Sequence, residues 1–351
     1  MIYIHDMAAI SPQQSFGESN FATLHEYGDN KLRAIEPAYE GIPASLLRRM
    51  GKAVKIGVGV SLPLLKKNSP VHGIVLGTAD GGLEDCIKFL NQIVEYEEGI
   101  LAPANFVQST ANAVASQIGL LTSNKSYNIT HVHRGHAFEN ALLDAGMLVS
   151  ENPGNDYLLA GVDEISSYNF NIDRLNGWHK REAVTNKNLY DKLTPGSMAG
   201  EGAAAFLVND NPIGANAWVQ GLKIIHATDA GELQKQGLKF IQDLEFGSRD
   251  SDVFLSGENG DSRIQEYYKA VEGLLPDRTA IFRFKHLCGE YATAIAYALW
   301  LACKMLQGIE IPAHMVKRES RTGAVRRILI YNSFKKIQHS FMLVAAPKSE
   351  I

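Results

Sequence analysis

The run Thr130-His131-Val132-His133-Arg134-Gly135-His136 places three histidines between an apolar segment and a helical pattern. Histidines two apart on a strand share a face, and a third from the next helical turn could close on them, so a metal site is one chemistry open to this cluster. Presentation of a single polar side chain is the other. Tyr127-Asn128-Ile129-Thr130 has the β-branched and aromatic residues of a strand, while Ala137 to Ala145 repeats apolar residues at three-to-four spacing. A strand running directly into a helix makes a sharp turn with unpaired N–H groups at the helix start, a geometry that presents a nucleophile or binds an anion. His133 is the residue expected to be exposed there. No Asp- or Glu-rich partner motif follows at a later strand end, so neither a metal nor a cofactor is expected.

The second chemical pair is Lys285 and Glu290, just before and at the start of an apolar stretch. It reads either as a structural ion pair or, in a dry pocket, as a Glu with an acid or base role. Arg134 has the wrong sign for a helix amino terminus. It either binds an acidic neighbour such as Glu290 or stands in solvent. Cys86, Cys288 and Cys303 are too widely spaced for a CxxC site or a disulfide framework and fit a reducing compartment.

The elements that must position these groups alternate between strand and helix. Val71 to Gly77, Tyr157 to Val162, Gly200 to Val208, Ala217 to Ile225, Asp252 to Ser256, Arg327 to Tyr331 and Phe341 to Ala345 have strand patterns. Helical patterns cover Ala44 to Lys52, Leu83 to Glu97, Ala104 to Leu121, Leu233 to Leu244, Ile264 to Leu275 and the almost wholly apolar Tyr291 to Leu306. Ser166 to Asp191 is polar and aperiodic, which predicts a loop or cap. The alternation argues for a layered α/β architecture, and the strand pair at 200–225 divides the chain roughly in two, 1–215 and 216–351, with no short sequence repeat to show a duplication.

The 351 residues are 45% hydrophobic and 21% charged, with a formal net charge of -4. That balance is globular and gives no electrostatic reason for nucleic acid or an anionic membrane as partner. The first residues carry Asp6 within their apolar stretch and lack a basic start, so a first strand is expected rather than a signal peptide. With no apolar run near eighteen residues, the expectation is a cytoplasmic protein without membrane insertion.

From Val71 onward the chain resembles the β-ketoacyl synthases of the thiolase superfamily. The resemblance is carried by Gly77-Thr78-Ala79-Asp80-Gly81-Gly82, Pro103-Ala104-Asn105-Phe106 leading to Asn112, the turn Val132 to Ala137, Ala160-Gly161-Val162-Asp163, Gly200-Glu201-Gly202-Ala203, Lys285-His286-Leu287-Cys288-Gly289 and Asn332-Ser333-Phe334. It implies a thiolase-like fold of two halves in an αβαβα arrangement. In that family a Cys at the elbow takes the acyl chain as a thioester, and two His residues support decarboxylation and enolate stabilisation. Here the corresponding positions carry His133, Ser256 and Glu290, and only Lys285 is kept. The glycine-rich turn after Asn-Ser-Phe becomes Lys335-Lys336-Ile337-Gln338-His339.

No condensing chemistry is therefore expected. The departures resemble those of chain-length-factor subunits of type II polyketide systems and, more narrowly, ketosynthase-like proteins of aryl polyene and flexirubin-type pigment clusters. The resemblance implies an active ketosynthase subunit as heterodimer partner, or else a homodimer, together with an acyl carrier protein. It also implies that Phe106, Val107, Gln108, Asn112 and Phe138 border an acyl tunnel or subunit interface. Two other functions stay open: an independent acyl-thioester enzyme (acyltransferase, hydrolase or decarboxylase) using His133, Lys285 and Glu290, and a metal-dependent hydrolase.

Overall fold

A computed structural model describes residues 2–17, 21–68, 70–99, 101, 103–249, 251–319 and 323–347. Its amino-terminal part runs β1 (Ile2–Ile10), β2 (Lys31–Leu32), α1 (Ala44–Leu47), α2 (Lys52–Lys67), β3 (Gly73–Gly77), α3 (Leu83–Glu95), α4 (Pro103–Gln108), α5 (Ala113–Thr122), β4 (Tyr127–His131), α6 (Ala137–Glu151), β5 (Tyr157–Asp163), α7 (Ser167–Leu175), β6 (Ala199–Gly200) and β7 (Gly202–Asn209). The rest runs β8 (Ala217–His226), α8 (Ala230–Asp243), β9 (Asp252–Ser256), α9 (Gln265–Glu272), β10 (Ala280–Arg283), α10 (Lys285–Cys288), α11 (Ala294–Leu306), β11 (Val316–Arg318), β12 (Arg327–Phe334) and β13 (Gln338–Ala345).

The large sheet has the order β11-β10-β9-β12-β13-β8-β1-β7-β5-β3-β4. Its pairing pattern repeats about the β1/β8 junction. On one side β3 is parallel to β4 and β5, and β7 joins β5 to β1 antiparallel. On the other, β9 is parallel to β10 and β12, and β13 joins β12 to β8 antiparallel. The central strands β3, β5, β9 and β12 are buried on both faces, which is why they read as continuous apolar runs and not as alternating patterns.

Three apolar clusters define the layers. One joins α2 and α5, through Val54, Val58, Val114 and Ile118, to Leu76, Leu158 and Ala205 of the first half. A second joins α8 and α9, through Leu233, Ile241, Tyr267 and Val271, to Phe254, Leu329 and Phe341 of the second. Between them Phe138, Leu142 and Val149 of α6 and Tyr297, Trp300 and Leu301 of α11 pack with both halves of the sheet. Outer helix, sheet, inner helices, sheet and outer helix give the αβαβα arrangement.

Several expected boundaries move. The longest difference is α2, sixteen residues where the sequence reads as a short helix ending at Lys52. Its Gly57, Gly59 and Pro63 break helical propensity, yet packing overrides it: a Cβ on Gly57 would stand 2.4 Å from a methyl of Val114. The expected single helix from Ala104 to Leu121 is two, α4 and α5, separated by a turn. Within the expected 166–191 loop, Ser166 caps α7 by accepting a bond from the Asn169 N–H at 3.1 Å. Strand β10 has no counterpart in the expected elements.

Candidate functional site

Strand β4 ends at His131, and a single 3-10 turn, Arg134–His136, leads into α6. The sharp strand-to-helix turn is therefore present, but its details differ from the expectation. The left-handed backbone belongs to Arg134, with φ of 50°, while His133 has φ of -143°. Both side chains are exposed. Nor is the helix start free. The Gln338 amide accepts from the Gly135 N–H at 3.0 Å and donates to the His133 carbonyl at 3.2 Å, so one β13 side chain clamps the turn from both sides. A hydrogen in place of Cβ is required at Gly135, where a methyl would lie 2.5 Å from Cβ and Cγ of Phe334.

The three histidines of the cluster turn to separate partners. His131 Nε2 lies 2.9 Å from Asp144 Oδ2. His136 is buried, with Nε2 3.2 Å from the His339 carbonyl, and burial lowers it to about 4. His133 stacks on His136 with ring centroids 6.2 Å apart. Among the described residues no group of three or more His, Cys, Asp or Glu could hold a metal.

Two cavities meet at the turn. The inner one, about 450 Å³, reaches Glu290, Asn259, Trp178 and His179 and carries six carboxyl side chains, among them Asp80, Asp163 and Asp173. The outer one, about 630 Å³, is lined by His133, His226 and Gln338 and by no carboxylate. Ala79, Arg134, Phe334, Lys335 and Ile337 line both and form the partition. Lys335 spans it, its Nζ 2.6 Å from Asp173 of α7 and 5.2 Å from the Phe334 ring centre. Lys335 and Lys336 have φ of 50° and 66°, so the glycine-type geometry of the turn survives although neither residue is glycine.

Each remaining site residue has a defined place. Lys285 Nζ is fully buried and 2.9 Å from Glu290 Oε1, while the Asn259 amide donates to the other carboxylate oxygen at 2.6 Å. This is a structural ion pair, and Glu290 is not bound by Arg134. Glu290 lies in the turn between α10 and α11 and does not begin α11. Ser256 is buried at the end of β9, accepting from the Glu258 N–H at 3.3 Å. Glu290 lines the inner cavity and His133 the outer, so His133, Lys285 and Glu290 do not converge on one cavity.

The residues expected at a tunnel or interface divide. Phe106 and Val107 on the short α4 are exposed. Gln108 is spent internally, accepting from the Gly51 N–H at 2.6 Å and donating to the Arg49 carbonyl. Asn112 accepts from the Thr130 hydroxyl at 2.7 Å. Phe138 is fully buried, 5.9 Å from the Phe206 ring and against Gly161, and lines neither of these two cavities. It is a core residue because it sits on the face of α6 that meets the sheet.

Sequence reasoning missed the carboxylates. Asp163 accepts from Thr78 Oγ1, the Ala79 and Asp80 N–H groups, the Thr293 N–H and Thr293 Oγ1 at 2.8 to 3.0 Å. Burial and the adjacent Asp163 push Asp80 up to about 7. Burial pushes Asp163 up as well, and its five donors oppose that by favouring the charged carboxylate. Glu139, in the first turn of α6, is fully buried with Oε1 accepting from Ser340 Oγ at 2.7 Å and Oε2 without a partner. Glu201 is likewise internal, accepting from the Lys52 amine and the Ala34 and Ile165 N–H groups. The Ala-Gly-Val-Asp and Gly-Glu-Gly motifs were visible, but the partners that explain them come from distant segments.

Beyond the cavities, β4 is the last strand of the sheet and its outer edge is unpaired among the described residues. Beside it Leu120 of α5, Tyr127 and Val132 at the ends of β4, and Leu143 and Met147 of α6 are exposed. An open edge presents a row of unpaired N–H and C=O groups, here beside exposed apolar side chains. No helix among the described residues is long and apolar enough to cross a membrane.

Residues 25–173 match the family model described as β-ketoacyl synthase, N-terminal domain. No curated protein sequence matches the chain. Similar solved structures include a β-ketoacyl synthase from Burkholderia phymatum STM815, at TM-score 0.75 and 13% identity over 98% of this chain and 99% of that one. The ishigamide ketosynthase/chain length factor gives TM-score 0.77 and 13% identity over 98% of each chain. The ketosynthase ApeO in complex with its chain length factor ApeC from Xenorhabdus doucetiae gives 0.75 and 11%, again over 98% of each. At these identities the likeness establishes the fold.

Proposed function

We propose that this chain, a β-ketoacyl synthase-like protein of the thiolase fold, is a non-condensing subunit that pairs with an active ketosynthase, in the manner of a chain-length factor, in type II polyketide or aryl polyene biosynthesis. One observation carries the reading: the elbow holds His133 instead of a thiol, and the opposite positions are a buried Ser256 and a Glu290 locked to Lys285. A thioester needs a thiolate nucleophile. Cys288 and Cys303 cannot substitute, because both are buried and pushed up to about 12 by that burial.

The open β4 edge with Leu120, Tyr127, Leu143 and Met147 is the proposed docking surface, and the exposed Phe106 and Val107 are the groups proposed to reach a shared acyl tunnel. The heterodimer works in the cytoplasm on chains carried by an acyl carrier protein, and the boundary between the two halves of this chain is placed at 215/216. The acyl-thioester enzyme is disfavoured by the separation of His133 from Lys285 and Glu290.

The test is co-expression with a Cys-containing ketosynthase encoded nearby. A stable heterodimer, lost on Leu143→Asp with Met147→Asp, and longer products on Phe106→Ala or Val107→Ala, which remove bulk that fills the tunnel, would support the proposal. A homodimer indifferent to these changes, with product length unaltered by the chain, would overturn it.

A further inference from the structure

Away from the elbow, three locally unfavourable features of the first half converge on one cavity. Helix α2 carries Gly59 and Pro63 in its interior, where both weaken a helix. Tyr39 beside it has φ of 52°, in the left-handed region where a side chain bearing Cβ is disfavoured. Packing explains the glycine: a Cβ on Gly59 would stand 2.4 Å from Cε1 of Tyr39, so the ring lies on the helix backbone. The Tyr39 hydroxyl is fixed in turn, donating to Glu36 Oε2 at 2.6 Å. Between them lies a hollow of about 610 Å³ walled by Phe16, Tyr39, Ile42, Leu62 and Pro63. It shares no lining residue with the two cavities at the turn.

Packing does not explain Pro63, which is exposed. A proline has no N–H for the carbonyl four residues back, and here that carbonyl belongs to Gly59. Gly59 consists of backbone alone, so what it presents to the hollow is backbone. The pair therefore sets an acceptor, denied its usual helical donor, into an apolar wall, where it costs free energy until a donor reaches it. Charge selects neither sign of ligand, because the rim carries both Glu40 and Lys66, the latter with Nζ against Gly41. Strained backbone of the Tyr39 kind clusters at ligand sites, and the volume falls within the range of about 300–1,000 Å³ found for small molecules. We propose that this hollow binds an uncharged, mainly hydrocarbon molecule bearing one hydroxyl group. Its O–H donates to the Gly59 carbonyl while its hydrocarbon body lies against Tyr39, Ile42 and Leu62. The site stands whether or not the chain pairs with a ketosynthase.

The test titrates the full chain with benzyl alcohol and, at equal ionic strength, with toluene, benzoate and benzylammonium, following the methyl resonances of Ile42 and Leu62. Saturable benzyl alcohol binding below about 20 mM is expected, at least about threefold tighter than toluene and tighter than either ion. Ala38→Trp, at an exposed lining position, should block binding. Pro63→Ala separates the acceptor from the cavity. It restores the N–H to Gly59, so it should melt no earlier than the parent chain, keep toluene binding and lose the preference for the alcohol. Absence of saturation, equal or tighter binding of toluene or of either ion, wild-type binding by Ala38→Trp, or an alcohol preference that survives Pro63→Ala would overturn the proposal.

Discussion

Glu139→Gln isolates a buried charge directly behind the elbow. Glu139 is 0% exposed, accepts one bond from Ser340 and leaves its second oxygen unpartnered. Its place in the first turn of α6 favours a negative charge by about 0.3–1 kcal/mol. Removing a carboxylate from water costs several kcal/mol, and burial wins. The carboxyl is raised from 4.5 to about 7. At about 1.4 kcal/mol per pH unit between those values, ionising it in the folded chain costs about 3 kcal/mol more than in the unfolded chain. The folded state therefore binds the extra proton. Glu139 contributes its full stability below pH 4.5, loses it as pH rises to about 7, and regains none above. Gln carries no such dependence. Urea unfolding of both proteins at half-unit steps from pH 4.5 to 8 should show the variant gaining about 3 kcal/mol on the wild type across that window. Taking the difference cancels Asp80 and Glu164, which titrate nearby. A flat difference, or one that falls with pH, would show Glu139 ionised in the fold and refute the reasoning.

Lys285→Met leaves the Glu290 carboxylate with only Asn259, and should cost about 3–5 kcal/mol by denaturant unfolding, with Lys285→Met/Glu290→Gln recovering more than half. A single-variant loss below about 1 kcal/mol would contradict a buried pair. Lys336→Gly removes a left-handed non-glycine residue at φ 66° and should stabilise by about 0.5–1 kcal/mol in the same assay, the flexibility of glycine in the unfolded chain offsetting part of the gain. Gly135→Ala pushes on Phe334 and should destabilise by about 1–3 kcal/mol, while Gly135→Ala/Phe334→Ala recovers part of the loss. On the acid side His136, lowered to about 4 by burial, adds stability above pH 6.5 that is lost as pH falls toward 4, so His136→Gln should flatten that limb of the unfolding curve.

The order of buried strands and the apolar α11 was legible because residues with both faces covered make continuous apolar runs whatever packs on them. The proximity of two site residues was legible from local spacing: His133 lies two residues beyond the end of β4, and Lys285 and Glu290 are five apart. Helix α2 was not legible, since Gly57, Gly59 and Pro63 argue against a helix until Val114 and Tyr39 are seen filling the space the glycines leave.

The sequence by itself determined the α/β class, the strand-to-helix turn at Val132 to Ala137 and the lack of a thiol there, because each depends on residues adjacent in the chain. Only the tertiary structure decided that Arg134 takes the strained position and that Gln338 fills the helix start. Those outcomes are set by β13 meeting the turn, across 203 residues between Gly135 and Gln338, and no local pattern encodes such a meeting.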